Sequence, residues 1–350
     1  SAQHVHAWCR SRSGRSPGRT TSGTRSRRGA SGTGPEVASY AGVLEGRSTP
    51  YCAGMTFRQG GHFEGGRVRS GRGGRGAAAA GGGLGVVGLI VFLLLQLTGN
   101  GEVANQVVGG GGAGPGPEAS NGYIGDCTAG QANTDPACRL SATVQSLDVY
   151  WTEVFAEQGE LPLPEVQEFS GAWQSACGTA SGATGPFYCP PDQTIYLDLT
   201  FFQTLQDRFG ASDGPLAEMY VTAHEYGHHI QHVTGAMERA DRSGTGADSD
   251  SVRLQLQADC YPGLWAGHAA TIVDPDTGVT FLEPISEAQL ADALSAAEAV
   301  GDDHIQSSAG VGVNQDTWTH GSSDQRQRWF MVGYERGDPA ACDTFSAATL

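Results

Sequence analysis

Apolar residues recur about every third or fourth position in several long segments of the chain, which is the periodicity of an amphipathic helix. This spacing predicts helices over 141–158, 215–234, 251–270, 286–300 and 322–336. Residues 193–200 alternate instead, with Ile195, Leu197 and Leu199 on one face, and this pattern predicts a strand. Together these elements predict an α+β fold that is rich in helix and has a small sheet.

A different pattern, an unbroken apolar run, occupies residues 77–98. The run has no charged residue and is long enough for one helix to cross the roughly 30 Å hydrocarbon core of a bilayer. Its most apolar part, residues 84–97, is shorter than a full span, so a buried soluble helix and the core of a signal peptide are alternatives. No small-x-small cleavage site follows the run, and we therefore expect an uncleaved transmembrane helix.

Charge divides the chain at this run. Residues 1–76 contain 13 arginines and three acidic residues, whereas residues 77–350 contain 8 arginines and 34 acidic residues. Because the arginines precede the run, the positive-inside rule predicts a cytoplasmic N-terminus and an extracytoplasmic domain, in a single-pass protein of the cell membrane. The acidic part would be repelled by phosphate, which argues against nucleic acid as a partner.

Low-complexity sequence flanks the run on both sides. Residues 1–76, rich in Gly, Ser and Arg, have too few apolar side chains to offset their chain entropy, and we expect them to be disordered. A stretch typical of a natural N-terminus begins at Met55, so residues 1–54 are expected to lie upstream of the native start. Residues 99–122, rich in Gly, predict a flexible linker, which leaves residues 123–350 as the folded domain.

Six of the eight cysteines lie in this predicted domain, and an even number of cysteines in an exported domain is typical of disulfide bonds. Short loops around Pro and Gly favour two local bonds and leave a third to hold the C-terminus: Cys127–Cys138, Cys177–Cys189 and Cys260–Cys342. The alternative is six reduced thiols in the core. No CxxC pair occurs in the sequence, so a cysteine zinc site is not expected.

The predicted helix over 215–234 contains the pentapeptide His224-Glu225-Tyr226-Gly227-His228. Side chains four positions apart share one face of a helix, so His224 and His228 can bind the same metal ion. Zn²⁺ suits two neutral imidazoles. Glu225 lies beside them, where it can accept a proton from a water molecule.

A third protein ligand is expected from the next predicted helix. Gln255 and Asp259 are four positions apart there and share a face. Two further histidines, His229 and His232, lie close to the first pair in sequence but point to other faces of their helix. We expect them at the surface or behind the ligands.

Several stretches, kept in order along residues 55–345, resemble the bacterial family of putative neutral zinc metallopeptidases, which are membrane-anchored proteins. They are MTFRQGG (55–61), the apolar run, TAHEYGHHIQ (222–231), SVRLQLQADCYPGLWA (251–266), GDDHIQ (301–306) and THGSSDQRQRWFMVGYERGDPAACDTF (319–345). The resemblance implies a zincin-like fold, an HExxH zinc site, and hydrolysis of peptide bonds in a peptide or protein substrate. Residues 1–54 lie outside it.

One position departs from the family's pattern. In the zincin arrangement the second helix supplies an acidic ligand, and an Asp one turn later orients a ligating histidine. The family usually has Glu where this chain has Gln255, and a neutral amide is a weaker zinc ligand than a carboxylate. Either Gln255 coordinates weakly, or Asp259 becomes the third ligand, or metal affinity is reduced. The main alternative to a peptidase is therefore a catalytically weak or inactive envelope binding protein.

The expected mechanism is attack by a water molecule that zinc activates, with Glu225 as the general base. The oxyanion of the tetrahedral intermediate needs a further hydrogen-bond donor. His320 is the first candidate, with Tyr226 and Arg326 after it; the alternative for His320 is a structural or capping role near the last predicted helix. The strand over 193–200 is either an exposed edge that pairs with an extended substrate or an ordinary core strand.

Overall fold

The computed structural model of the protein describes residues 56–73, 120–182 and 184–350. This part of the chain contains nine strands and nine α-helices. The strands are β1 (His62–Phe63), β2 (Arg69–Arg72), β3 (Ser120–Tyr123), β4 (Cys127–Thr128), β5 (Glu165–Ser170), β6 (Trp173–Ser175), β7 (Gly178–Ala180), β8 (Phe187–Cys189) and β9 (Thr194–Leu197). The helices are α1 (Ala129–Ala132), α2 (Pro136–Phe155), α3 (Thr200–Phe209), α4 (Pro215–Val233), α5 (Ala236–Arg239), α6 (Asp250–His268), α7 (Glu287–Ala299), α8 (Asp302–Ser308) and α9 (Ser323–Arg336).

The central sheet has five strands in the order β3-β2-β5-β9-β8. The three inner strands run parallel to one another, and the outer strands β3 and β8 run antiparallel to their neighbours. The strand predicted over 193–200 is therefore internal, with β5 on one side and β8 on the other, and it is shorter because Thr200 already begins α3. Its interpretation as an exposed edge is wrong, since β8 occupies that end of the sheet.

Residues 56–73 are part of this fold, contrary to the expectation that all of residues 1–76 are disordered. β2 lies between β3 and β5 in the central sheet. Phe57, Phe63 and Val68 are buried in the core. The sequence pattern did not reveal them because these apolar residues are isolated among Gly and Arg, and the partners that bury them come from much later in the chain.

The transmembrane helix predicted over 77–98 and most of the linker predicted over 99–122 lie outside the described residues. In the part of the chain that is described, no helix has the length and apolar character needed to cross a bilayer. β2 and β3, which flank the apolar run in sequence, are paired with each other, with Arg72 opposite Ser120. The pairing includes residues 56–73 in the same folded unit as residues 120–350, whereas the predicted topology places these two segments on opposite sides of a membrane.

The helices predicted from apolar periodicity are all present, most of them within two residues of the expected ends. α2 begins five residues before the predicted start because Asp135 accepts a hydrogen bond from the backbone of Cys138 as an N-cap and Pro136 occupies the first turn. α3 and α8 were not predicted, since each is too short to show several periods. The prediction of a helix-rich α+β fold is confirmed.

α6 packs against both α4 and α9 at very short range. A Cβ atom at Gly333 would lie 2.0 Å from the carbonyl oxygen of Cys260, and one at Gly263 would lie 2.0 Å from that of Phe330. No side chain fits at either position, so the backbones of α6 and α9 are in contact. Gly227 permits a similar approach of α4, because a Cβ atom there would lie 3.2 Å from the carbonyl oxygen of Ala258.

Three disulfides join the described cysteines, and all three are the expected pairs: Cys127–Cys138, Cys177–Cys189 and Cys260–Cys342. The alternative of reduced core thiols is wrong. The third bond links α6 to the segment that follows α9, across a separation of 82 residues. It therefore holds the C-terminal segment against the helix that contains Gln255 and Asp259.

Candidate metal centre

The two helices that contain the predicted ligands, α4 and α6, bring them together. The Nδ1 atom of His224 lies 2.8 Å from Oδ1 of Asp259, and its Nε2 atom lies 3.1 Å from Oε1 of Gln255. All three side chains are buried. Gln255 and Asp259 do share a face of their helix, and they contact opposite nitrogens of one imidazole.

Asp259 is an anion held by two donors besides His224. Arg326 donates to both of its carboxylate oxygens at 2.8 Å, and the hydroxyl of Tyr220 donates to Oδ1. Burial by itself would raise the pKa of Asp259, but the charge of Arg326 and the hydrogen bonds from His224 and Arg326 keep that pKa well below its usual range. An anionic carboxylate accepts the Nδ1 proton of His224, which leaves a lone pair on Nε2 when the imidazole is neutral.

The lone pair on Nε2 of His224 therefore faces the side-chain carbonyl oxygen of Gln255. While the imidazole is neutral, these two acceptors 3.1 Å apart repel each other unless a cation lies between them or the amide turns to donate a proton; a protonated imidazole would instead donate from Nε2 to Oε1. Two ligands of a tetrahedral zinc ion, each bonded at about 2.0–2.1 Å, are about 3.3 Å apart. The observed separation fits two atoms that share one metal ion.

His228 is also bound through its Nδ1 atom, but its partner is a neutral amide and not a carboxylate. Its Nδ1 atom lies 2.8 Å from Oε1 of Gln231. Burial is the largest cause that lowers the pKa of His228, to about 3, so the imidazole is neutral. Its Nε2 atom is buried and has no hydrogen-bond partner among the described residues. A neutral imidazole with a free lone pair is the form in which histidine binds a metal.

Glu225 also has a buried oxygen without a partner. Its Oε2 atom contacts no donor within the described ranges, while the carboxylate accepts a hydrogen bond from the backbone N–H of Tyr188. Burial raises the pKa of Glu225. A buried carboxylate oxygen of this kind requires a water molecule or a ligand. Because Tyr188 belongs to β8, the outer strand of the sheet borders the site.

His320 lies in the loop before α9. Its Nδ1 atom lies 3.0 Å from Oδ1 of Asp302, whose other oxygen accepts three successive backbone N–H groups of residues 319–321. This loop contacts α6 close to Gln255, because a Cβ atom at Gly321 would lie 3.2 Å from the side chains at 252 and 256. The cap of α9 is Ser322, so His320 does not cap the helix, and the structural alternative for His320 remains beside the catalytic one.

The two other candidate oxyanion donors are engaged elsewhere. Tyr226 donates to Oδ1 of Asp148 at 3.0 Å, and Asp148 is also paired with Arg67 from the N-terminal segment. Besides Asp259, Arg326 binds the carbonyl oxygen of residue 300. Both side chains thus stabilise the fold around the site, and neither is free to serve as a donor to substrate.

The two additional histidines meet at one tyrosine. The hydroxyl of Tyr188 lies 3.0 Å from Nδ1 of His229 and 2.7 Å from Nδ1 of His232. His229 also donates from Nε2 to the carbonyl of Pro162 at 2.6 Å, and burial lowers its pKa to about 4. His229 is therefore buried and not at the surface, and its ring nitrogens are bound away from the candidate metal ligands.

No group of three His, Cys, Asp or Glu side chains in the described part of the chain is placed to hold a metal ion. The reason is chemical. The third donor is the amide of Gln255, and Asp259, the other predicted ligand, contacts the far nitrogen of His224. The donors that the geometry offers are His224, His228 and Gln255.

Five residues that support the site were not predicted from the sequence: Tyr188, Tyr220, Gln231, Gln257 and Asp302. Gln231 and Tyr220 have a local signal, because Gln231 follows His228 by three positions and Tyr220 precedes His224 by four, so each shares a helix face with its histidine. Each of the others comes from a different element, or from a position whose contact depends on how two helices cross.

Comparison with known proteins identifies the family of the chain. Residues 56–345 match the sequence profile of the family described as "Putative neutral zinc metallopeptidase". The uncharacterized protein Rv2575 of Mycobacterium tuberculosis is 50% identical over 223 residues, which are 64% of this chain and 75% of that protein. The uncharacterized protein YpfJ of Escherichia coli is 37% identical over 220 residues, 61% of this chain and 73% of that protein.

No solved structure matches the chain at a significant level. The family match covers most of the chain and includes every residue of the candidate centre. The resemblance found in the sequence motifs is therefore confirmed, and the chain belongs to the family of putative neutral zinc metallopeptidases.

Proposed function

We propose that the protein is a zinc-dependent peptidase of the zincin type. One observation supports this above all: His224 and His228 each have Nδ1 bound by another side chain, while Nε2 of His228 and Oε2 of Glu225 are buried without a partner among the described residues. Histidine ligands of catalytic metals have this arrangement. A structural core gains nothing from leaving two buried acceptors unpaired.

His224, His228 and Gln255 would hold the ion, and Asp259 would orient His224 without binding the metal. Zinc held by three protein ligands supplies Lewis acidity toward a water molecule and a peptide carbonyl. Since all three donors are neutral, the ion would keep its full positive charge. Binding is then weaker than in a site with a carboxylate ligand.

Glu225 would accept a proton from the attacking water and pass it to the leaving amine. Its free Oε2 atom and its raised pKa both suit a group that must take up and release a proton. His320 would donate to the oxyanion from Nε2, because Asp302 occupies its Nδ1 atom.

The substrate would be an extended peptide or an unfolded segment of a protein. β8 is paired with β9 on one side only within the central sheet. The backbone of its Tyr188 lowers the pKa of Glu225, which supports an orientation in which the unpaired side of β8 faces the site. An extended peptide adding to this strand would present its backbone beside Glu225.

The three disulfides support a location in an oxidising compartment outside the cytoplasm. Pairing of β2 with β3 and β5 supports a single compartment for residues 56–73 and the rest of the fold. The protein would therefore act on substrates of the cell envelope.

A catalytically weak or inactive binding protein is the second candidate. If the Gln255 amide is turned so that its N–H donates to Nε2 of His224, the pair is satisfied without a metal. The neutral third donor is the observation that favours this alternative.

The decisive experiment measures zinc content and peptide hydrolysis on the purified full chain. Wild type and Glu225→Gln should both retain one zinc after dialysis, and the variant should lose at least about 100-fold in hydrolysis of an unfolded protein. Glu157→Gln, at an exposed position, is the matched control and should behave as wild type. Absence of stoichiometric zinc, or hydrolysis that survives in Glu225→Gln, would contradict the proposal.

A further inference from the structure

The orientation of His228 depends on an amide, and an amide can present either an oxygen or an N–H₂ group. At Gln231 the choice is made by its other contacts. Its Nε2 atom donates to the carbonyl oxygen of Leu254 at 2.7 Å and to Oε1 of Gln257 at 3.1 Å. A backbone carbonyl can only accept, so Nε2 must face Leu254 and Oε1 must face Nδ1 of His228.

Gln257 is oriented in the same way. Its Nε2 atom donates to the carbonyl oxygen of Cys342 at 3.0 Å, which again can only accept. Its Oε1 atom therefore accepts the hydrogen bond that Nε2 of Gln231 donates. Two backbone carbonyls thus set the direction of every hydrogen bond in the series from Cys342 to His228.

The last carbonyl of the series is fixed relative to α6. Cys342 forms a disulfide with Cys260, which lies three residues after Gln257 on the same helix. Gln231 and Cys342 are almost fully inaccessible, and Gln257 is 9% exposed. Water has little access to replace a lost partner at these positions, so each bond depends on the next.

We propose that Gln231 and Gln257 are positioning residues that hold His228 with its proton on Nδ1 and its lone pair on Nε2, and that the Cys342 carbonyl completes this arrangement. The inference rests on the proposed function in one respect only, that Nε2 binds the metal. Asp259 does the same for His224 with a full negative charge. His228 is held by dipoles alone, so the loss of one amide leaves its proton free to move to Nε2, where it blocks the metal.

The first test needs no metal. The tautomer of His228 is measured by ¹⁵N NMR in the metal-free full chain with labelled histidine. Wild type should show the proton on Nδ1, and Gln231→Met, which keeps the length of the side chain but removes both polar atoms, should show a population with the proton on Nε2. Gln257→Met should shift the same resonance, although it does not contact His228.

The second measurement is the dissociation constant for zinc, obtained by competition with a chelator. Both variants should bind zinc about 10- to 100-fold more weakly, the usual effect of removing a group that orients a metal ligand. Gln289→Met is the matched control, since Gln289 is a buried amide that donates to Thr56. It should leave both the tautomer and the zinc affinity unchanged.

Folded variants with the wild-type tautomer and wild-type zinc affinity would overturn the proposal. If Gln231→Met does not fold, Gln257→Met decides alone by the same two measurements. A wild-type chain that binds no zinc would defeat the proposed function, and the tautomer comparison would still decide this inference.

Discussion

Gln255 is the member of the candidate donor set that has neither an imidazole nor a charge. Its Oε1 atom lies 3.1 Å from Nε2 of His224, and the anionic Asp259 on the other side of that ring takes the Nδ1 proton, so that a neutral imidazole has its lone pair on Nε2. In that state the contact is repulsive, and it is relieved either by a cation or by a proton, which a turned amide or a charged imidazole supplies.

Replacing this amide with a carboxylate distinguishes the two possibilities. Gln255→Glu should raise zinc affinity by at least about tenfold, because an anionic oxygen binds a divalent cation more strongly than an amide oxygen does. Competition with a chelator at constant pH measures the change. Gln255→Leu should weaken zinc binding. Equal affinities in wild type and both variants would show that position 255 does not bind the metal.

At the residue scale, the sequence is informative about residues whose relative positions depend on their spacing along a single helix. His224 and His228, and Gln255 and Asp259, were each placed on one face by their separation of four residues, and the structure agrees. The role of Gln257 was invisible because its partners, Gln231 and the carbonyl of residue 342, come from other elements. Helical periodicity contains no information about such contacts.

Among the contacts between elements, the one between α6 and α9 leaves very little room for an added side-chain atom. Gly263 and Gly333 allow the two backbones to touch, and this contact brings Arg326 on α9 to Asp259 on α6. The orientation of His224 therefore depends on two glycines that lie outside the metal site.

A methyl group at this contact should disturb both stability and the site. Gly333→Ala would place Cβ 2.0 Å from a carbonyl oxygen, and we expect a loss of about 3 kcal/mol in the free energy of unfolding. Urea denaturation measures it. Gly312→Ala is the control, because a Cβ atom there meets no neighbour, and it should stay within about 0.5 kcal/mol of wild type. Similar stabilities for the two variants would contradict the packing described.

Long helices were predictable as elements, and the short strands were not. α4 and α6 each span about five turns, long enough for helical spacing to be recognised in the sequence. β2 and β8 have four and three residues, too few to establish alternation. β2 also pairs with β5, nearly one hundred residues later, and no local pattern encodes that pairing.

On the scale of the whole molecule, the sheet unites sequence from both sides of the apolar run. β2 precedes residues 77–98 and β3 follows them, yet the two are neighbours in one sheet. The two segments must therefore occupy the same side of any membrane that the protein meets.

Cysteine labelling tests this arrangement in intact cells. Glu64 and Glu157, both exposed, are replaced singly by cysteine in a chain whose Cys9 and Cys52 are serine. A membrane-impermeant maleimide should label both variants to the same extent, because both positions belong to one folded unit. Labelling after lysis confirms that each thiol is reactive. Labelling of Glu157→Cys without Glu64→Cys would contradict the pairing of β2 with β3.

The internal position of β2 in the sheet also affects how the protein can be produced for experiments. A chain truncated to begin after the apolar run would lack this strand and would expose the edge of β5, and unpaired strand edges promote aggregation. The pairing of Arg72 with Ser120 offers another route, because these residues are neighbours. A short glycine-rich loop in place of residues 74–119 would join β2 to β3 as a hairpin and preserve the sheet.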